Sequence, residues 1–558
     1  MARLRRRIPW VLAAFSFLWS LLGWRVWYWQ SGVAPLVRAV HQHALTLPLQ
    51  TRGWIRDRHG VPLTDPQPAW GVALFPAHFR TGVAGAGTAA EARLAAALGM
   101  PPARLSQMLR AAGASPTWLV RGLTAAEARR VADLGLPGVA VVDQPERYGP
   151  RALARHLVGY VNLNGGVQGL EAAFDAELKG SGGLHLAAYG TGRGAPLQGL
   201  GLRSVTVTPE KPPWDLYLTL DSRFQAVVEA ALDAAAWGAR AAVVVLEPHS
   251  GEVLALASRP QFDPRVGPPP GEGDGGQLIN RALVAYPPGS VFKALVAAAA
   301  LEEGLVTPDT VFDCPGHYTI GDQTFREPVP GGHGRITLAE ALHRSCNIVF
   351  IHLGYQVLGR ERLLAAARRF GLGAPTGIGL PEEEQGVLPE LRWDGEVAMF
   401  AFGQGAFGAT PLQVARAYAA LATDGRLPPV RVVDRLTTPA GKTAEEFPRG
   451  AGQAAVSPEV ARTMQAILQG VTQPGGVGTG QKAWVPGWGS AGKTGSAEAA
   501  GDVVHAWFVG WVPLYQPRYV IAVLVEEGGA GGEAAAPIFR AIAEGILALP
   551  DSGLTKGY

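Results

Sequence analysis

Hydrophobic and polar residues follow three different rhythms along this chain. From Ile8 to Trp24 it is apolar on every face, with Arg3, Arg5, Arg6 and Arg7 before the run and Arg25, Trp27, Tyr28 and Trp29 after it. With its aromatic end the run is long enough to cross ~30 Å of hydrocarbon as a helix. The arginines place the N-terminus in the cytoplasm and the aromatics suit a membrane interface. The alternative is a cleaved signal peptide, whose apolar core is usually about 7–15 residues before a small-residue cleavage site. Here the run is longer and bulky aromatics stand where cleavage would fall. The expectation is a cytoplasmic tail over residues 1–7, an uncleaved anchor over 8–29, and a chain lying outside the cytoplasmic membrane beyond about residue 30.

The second rhythm, from Gln30 to about Pro213, mixes short strand-like runs with Ala-rich stretches. Thr88–Leu98 and Thr124–Leu134 have helical spacing. No set of carboxylates or histidines there suggests a site. Glu210-Lys211-Pro212-Pro213 reads as a boundary. The third rhythm follows it. Asp221–Trp237 predicts a helix, and Ala241–Glu247 and Glu252–Ser258, joined by Pro248-His249-Ser250-Gly251, predict a β-hairpin. Residues 261–277 form a Pro/Gly-rich loop. Ser290–Glu303 predicts a long apolar helix. His505–Val512 and Tyr519–Glu526 predict a second hairpin, and Ala534–Leu549 a closing helix. Strands, a helical middle, then strands and a helix predict an α+β domain over 214–558, one antiparallel sheet with helices packed on it.

Composition narrows the function. Of 558 residues 47% are hydrophobic and 17% charged, and the net charge is +3, which gives ample core and two to four domains. No basic stripe beyond the N-terminus points to nucleic acid. An extracytoplasmic chain without a Walker-type glycine loop is a poor candidate for ATP chemistry. Cys314 and Cys346 are the only cysteines and no metal-ligand spacing occurs, so no metal is expected. A disulfide between them is open outside the cytosol.

Lys and Asn are scarce: 7 of the 49 basic residues are Lys, and Asn occurs only at 162, 164, 280 and 347. Motifs built on them therefore carry weight. Three occur in order: Ser290-Val291-Phe292-Lys293 after Pro287-Pro288-Gly289, Ser345-Cys346-Asn347, and Lys493-Thr494-Gly495-Ser496. On a helix, positions i and i+3 share a face, so Lys293 can reach the Ser290 hydroxyl. The Pro-Pro-Gly stretch predicts a helix start near Ser290, where the helix dipole favours developing negative charge. The apolar continuation would bury Lys293 and favour its neutral, basic form. Ser490-Ala491-Gly492-Lys493 fits the same S-x-x-K pattern, but its Gly-rich flanks and Val/Trp neighbours predict turn and strand, where i and i+3 point to opposite faces. The bland readings are a helix N-cap for Ser290, a surface role for Lys293, a helix-end and turn role for Ser345 and Asn347, and a strand-edge charge for Lys493. Three ordered motifs together outweigh them. His505, at the start of a strand, reads equally well as structural.

With these residues the chain resembles the class B penicillin-binding proteins, which carry this S-x-x-K, S-x-N, K-T-G set. Arg52-Gly53-Trp54-Ile55-Arg56-Asp57-Arg58, Gly169-Leu170-Glu171 through Leu178-Lys179-Gly180, Asn280-Arg281-Ala282, Gly403-Gln404-Gly405 and Thr410-Pro411-Leu412-Gln413 also resemble family boxes. Ser345-Cys346-Asn347, the Gly-Lys-Thr-Gly stretch and His505-Ala506-Trp507-Phe508 are most similar to penicillin-binding protein 2, the elongation type. Ser496 stands where the family usually has Thr. The resemblance implies an elongated α+β pedestal over 30–213 and a transpeptidase domain with a five-stranded antiparallel sheet. It implies Ser290 as nucleophile, Lys293 as its base, Ser345 and Asn347 in proton relay and peptide binding, and N–H groups of Ser290 and Ser496 as oxyanion hole. Lys493 and Thr494, with Gly495 and Ser496, would hold the substrate carboxylate. It implies no cofactor, stem peptides of peptidoglycan as substrate, and a multi-pass glycosyltransferase of the shape, elongation, division and sporulation family as partner. The competing expectations are a β-lactamase, usually soluble and about half this length, a β-lactam sensor, which needs a cytoplasmic signalling domain, a septal transpeptidase, and a silent scaffold.

Overall fold

The computed structural model describes residues 8–33, 43–48, 52–82, 87–113, 115–162, 165–190, 202–235, 240–265, 276–499 and 503–550. The expected cytoplasmic tail lies outside them. The chain divides into two compact units: residues 1–51, 66–147 and 180–212 form one, and 52–65, 148–179 and 213–558 the other. The last change of unit falls between residues 212 and 213. The second unit also takes in two segments from within the span assigned above to the pedestal. Within it these segments join each other: the Arg52 guanidinium sits 2.6 Å from carboxylate oxygens of both Glu171 and Asp175. Two of the boxes singled out in the sequence thus form a single ion-pair cluster.

The first unit contains the helix Ile8–Tyr28. Among the described residues, Trp10–Ser31 is the one stretch long and apolar enough to cross a membrane. Further along, strand Trp70–Leu74 is flanked by Thr117–Leu123 and Val139–Asp143 in an antiparallel sheet. Helices Gly87–Ala97 and Ala125–Ala132 occur where the 3.6-residue spacing predicts them. The second starts at a capping box, Thr124 accepting from the Glu127 N–H and Glu127 accepting in return. A second antiparallel sheet joins His43–Pro48, Ser181–Gly190 and Leu202–Lys211.

The second unit is built on five strands. In chain order its principal elements are α1 (Ser222–Ala234), β1 (Ala241–Leu246), β2 (Val253–Arg259), α2 (Phe292–Glu302), α3 (Leu338–His343), α4 (Asn347–His352), α5 (Pro411–Ala422), α6 (Pro458–Thr472), β3 (Ala491–Glu498), β4 (Val504–Val512), β5 (Tyr519–Val525) and α7 (Ala535–Leu547). The strands lie in the order β2-β1-β5-β4-β3, every neighbour antiparallel. Both expected hairpins are present. The terminal one inserts beside β1, so strands from opposite ends of the domain share one sheet.

The sheet is covered on both faces, which is why β1 and β5 read as continuous apolar runs. Alternate side chains go to alternate faces. Val243, Val245, Ile521, Val523 and Phe508 pack with Phe224, Val228 and Leu232 of α1 and Ile538, Phe539 and Ile542 of α7. Val244, Leu246, Ala522, Leu524, Trp507 and Val509 face the other core, with α2, α5 and α6. Each fully buried large apolar side chain contributes roughly 1.5–3 kcal/mol. α2 lies deep in that second core. Its residues Phe292 through Ala300 are all buried, and Lys293 is the only charged one among them.

Candidate active site

Ser290 stands in a single 3-10 turn, Gly289–Val291, that leads directly into α2. The helix thus begins where the Pro-Pro-Gly stretch predicts, with its first turn tightened. Three contacts from separate elements fix this turn. The Gly289 N–H donates to the Gly403 carbonyl at 2.9 Å, the Tyr418 hydroxyl of α5 donates to the Val291 carbonyl at 2.7 Å, and Trp507 Nε1 of β4 donates to the Pro287 carbonyl at 3.1 Å. Gly289 has φ +57°, and a Cβ there would lie 3.0 Å from both Ala497 Cβ and the Ser496 carbonyl oxygen on β3. The turn carrying Ser290 therefore sits directly against the strand carrying the third motif. Only glycine combines that backbone with that approach.

Lys293 is fully buried, and its ammonium is met by oxygens from the α3–α4 connection. Nζ donates to the Ser345 carbonyl at 2.6 Å and to Asn347 Oδ1 at 2.6 Å, with Ser345 Oγ at 3.4 Å. The Phe350 ring centroid is 5.7 Å away. The sequence predicts that Lys293 reaches Ser290; in the structure Ser290 is not among its hydrogen-bond partners. A buried ammonium needs its donors satisfied, and a carbonyl and an amide oxygen do that better than one hydroxyl. Burial lowers the Lys293 pKa from 10.5 to about 8, against the opposing effect of the Glu327 carboxylate.

Ser345 is held in the left-handed region at φ +60°, a strained position for a non-glycine residue that clusters at functional sites. Its hydroxyl accepts from Lys493 Nζ at 2.8 Å. Lys493 is also fully buried, and its pKa is driven well below 10.5, first by desolvation and then by the charge of Lys293. Residues 52, 54 and 148 positions apart thus meet at the Ser345–Asn347 segment.

Lys493, Thr494, Gly495 and Ser496 lie in β3, the edge strand of the sheet. Thr494 Oγ1 is 2.5 Å from Thr479 Oγ1, and Ser496 is exposed, its Oγ accepting from the Gly531 N–H at 3.3 Å. A Gly495 Cβ would lie 3.0 Å from Val291 Cγ1 and 3.1 Å from the Pro288 carbonyl oxygen, so the glycine lets β3 abut the Ser290 turn. Ser490, of the second S-x-x-K match, is buried and donates its hydroxyl to the Ala483 carbonyl at 2.8 Å. It precedes the strand, as its setting predicts. His505 is the second residue of β4, packs edge-on to Tyr286 with centroids 5.6 Å apart, and accepts from the Glu527 N–H.

Two contributors escaped the sequence reading. Tyr418 is hidden in an apolar helical run. Glu327 lies in a polar loop without any motif, yet its carboxylate accepts from the Asn347 N–H at 2.7 Å. Cys314 and Cys346 are both free and buried, with their sulfurs 3.2 Å apart. Both sulfurs and a Glu327 oxygen lie within 4.8 Å of one another. That donor set has the chemistry of a zinc site as well as of a thiol pair, assembled across segments that no short spacing links.

Residues 241–544 match the penicillin binding protein transpeptidase domain, and residues 49–190 the penicillin-binding protein dimerisation domain. The chain is 35% identical over 430 residues to penicillin-binding protein PbpB of Mycolicibacterium smegmatis, covering 72% of this chain and 64% of that protein, just under two thirds of its length. It is 30% identical over 522 residues to peptidoglycan D,D-transpeptidase FtsI of Escherichia coli K12, covering 89% and 83% respectively. The crystal structure of penicillin binding protein 3 from Mycobacterium tuberculosis complexed with aztreonam superposes with a TM-score of 0.64 at 28% identity, over 90% of this chain and 96% of that one.

Proposed function

The chain belongs to the class B penicillin-binding proteins, and on that premise we propose that it is a peptidoglycan D,D-transpeptidase working through an acyl-enzyme on Ser290. The carrying observation is the meeting of the three motifs: Lys293 and Lys493 converge on Ser345 and Asn347 beside the turn that presents Ser290.

In this reading Ser290 Oγ attacks the carbonyl of the penultimate D-Ala of a stem peptide while neutral Lys293 takes its proton. N–H groups of Ser290 and Ser496 face the oxyanion. The C–N bond to the terminal D-Ala then breaks, and that residue leaves with a proton relayed by Ser345. The amine of a second stem peptide attacks the ester, Ser290 is released and the cross-link is formed. Lys493 and Thr494 hold the terminal carboxylate. Burial disfavours a charged Lys493 in the empty site, and an incoming carboxylate reverses that balance. The edge position of β3 leaves it open to an extended peptide. A β-lactam acylates the same hydroxyl, but its leaving group stays tethered.

The test is labelling with a fluorescent penicillin and mapping of the modified peptide. Ser290 is expected to carry the adduct, and a label on another residue overturns the reading. A persistent adduct separates a transpeptidase from a β-lactamase.

Relatives include both elongation and division types. The elongation-type assignment is supported by the boxes at 345–347, 492–495 and 505–508. Side-wall placement of a fluorescent fusion is expected, and septal placement overturns it. The apolar helix supports a single-pass anchor in the cytoplasmic membrane, with the catalytic domain outside. A chain that cross-links but carries no recognisable site for making glycan needs fresh strands close by. This supports a multi-pass glycosyltransferase partner, engaged through the anchor and through the pedestal at 30–213.

A further inference from the structure

We propose that the depression between the start of the helix Gly359–Arg369 and the start of the helix Asp394–Ala401 is a glycan subsite, which holds the amino-sugar strand that carries the donor stem peptide. The proposal rests on the reading of Ser290 as the nucleophile of a peptidoglycan transpeptidase.

The depression has a volume of about 480 Å³, within the range of small-molecule sites, and none of the three motifs lines it. Its polar lining comes from Tyr355, Arg360, Glu361, Arg362 and Asp394. Two basic and two acidic side chains balance, so the lining selects neither an anion nor a cation. It offers donors and acceptors to a neutral ligand rich in hydroxyl and amide groups. Part of it is set in advance. The Tyr355 hydroxyl donates to Asp394 Oδ2 at 2.9 Å. The Arg360 guanidinium donates to the Arg392 carbonyl at 3.2 Å and lies 3.8 Å from Asp394 Oδ1. Leu358 and Val397 also line the depression and are buried, which gives an apolar floor for the C–H face of a sugar ring. Trp393, directly before Asp394, is 71% exposed. Its backbone is pinned, because the Glu396 carboxylate accepts from the N–H groups of Arg392 at 2.6 Å and Trp393 at 3.1 Å. A solitary exposed apolar residue is ordinary. An indole displayed from a pinned backbone next to a charge-balanced polar depression is a platform on which a pyranose ring stacks.

The distance to the catalytic residues fits a stem peptide. α4 begins at Asn347 and continues through the π-helical turn Leu353–Leu358, which sets Tyr355 about 12 Å from Asn347 along the axis. The helix Asp394–Ala401 covers about 10 Å. Just past its end is Gly403, whose carbonyl accepts from the Gly289 N–H beside Ser290 at 2.9 Å. Two separate elements thus lead from the depression to the catalytic residues over the same span. Three or four extended residues cover it at about 3.3–3.6 Å each, which is the length of a stem peptide between its sugar and the penultimate D-Ala. A strand held there contributes binding energy away from the reacting carbonyl and raises the effective concentration of the stem peptide at Ser290.

Isothermal titration of the full-length protein with a neutral tetramer of N-acetylglucosamine measures the subsite directly. Saturable binding to the wild type is expected, with about tenfold weaker binding in Trp393→Ala and in Arg362→Ala. Both side chains are exposed, so these variants are expected to keep the wild-type melting temperature and rate of penicillin acylation. A second measurement reads the substrate. The kcat/KM for release of terminal D-Ala is expected to be higher for a disaccharide-linked stem peptide than for the free peptide. The two variants are expected to lose that preference while handling the free peptide as the wild type does. A merely structural role lowers both rates together. Absence of tetramer binding to the wild type overturns the proposal, as does equal binding and equal preference in the wild type and both variants. So does loss of the glycosyltransferase from Trp393→Ala in co-purification with tetramer binding unchanged, because the face then docks a protein. Acylation of Ser290 is read separately. Wild-type acylation with unaltered variants sinks the subsite alone, whereas a wild type that penicillin does not acylate at Ser290 overturns the transpeptidase reading and the subsite with it.

Discussion

At the scale of single residues, the proposed chemistry depends on the charge of two buried lysines. Lys293 has a pKa lowered to about 8 by burial, so its neutral form grows as pH rises through 8. Acylation by penicillin is therefore expected to climb tenfold per pH unit below about 8 and to level off above it. A stopped-flow pH profile checks this, and a flat profile between pH 6 and 9 contradicts it. Ser290→Ala is expected to abolish labelling, with persistent labelling the contrary result. Lys293→Ala removes the proposed base together with the partner of Ser345 and Asn347. Its acylation rate is expected to drop by about 100-fold or more, with folding checked by circular dichroism. The candidates for these roles were legible in the sequence because a helix start with Ser and Lys at i+3 is a local pattern. The hydrogen bonds of Lys293 were not, since they come from residues 52 and 54 positions away.

At the scale of elements, the site is a turn wedged against a strand edge. The two S-x-x-K matches differ in just this respect. Ser490→Ala leaves the carbonyl of Ala483 without its hydroxyl donor and is expected to cost about 1 kcal/mol, while labelling by penicillin persists. Loss of labelling in a folded Ser490→Ala protein would mean that the wrong serine has been assigned. Gly403 faces a harder constraint. Its φ is +84° and an added Cβ would fall 2.0 Å from the Gly289 carbonyl oxygen, so the backbone beside Ser290 must shift. Gly403→Ala is expected to reduce acylation about 100-fold, more than it reduces stability. A wild-type acylation rate in that variant would show that the Gly289–Gly403 contact does not place the nucleophile.

At the scale of the whole molecule, the chain is modular. All three motifs lie beyond residue 289 in one compact unit. A form of the protein beginning at residue 31 is therefore expected to be soluble and to bind penicillin. Failure to fold without residues 1–30 would refute the anchor reading. The proposed glycosyltransferase complex is tested by co-purification. A form with an unrelated membrane helix and without the pedestal should lose the polymerase, and equal recovery with equal stimulation of glycan synthesis contradicts the assignment.

The sequence alone determined the features whose signal is local. An apolar run without polar interruption marks the N-terminal helix, short apolar runs around turn residues and 3.6-residue spacing mark the strands and helices, and three short motifs mark the candidate site. Burial on both faces of β1 and β5 came from the structure and accounts for their unbroken apolar runs. Only the tertiary structure decided what depends on segments distant in the chain. The first two and last three strands joined into one sheet because their apolar faces share the same two cores. Residues 52–65 and 148–179 joined the second unit, where Arg52 meets Glu171 and Asp175. Glu327 reached the N-terminus of α4, and Cys314 came to rest beside Cys346, though no short spacing announces either. Local pattern reports the preference of a segment for one geometry. It says nothing about which partner, dozens or hundreds of residues away, will satisfy the polar groups that the geometry buries.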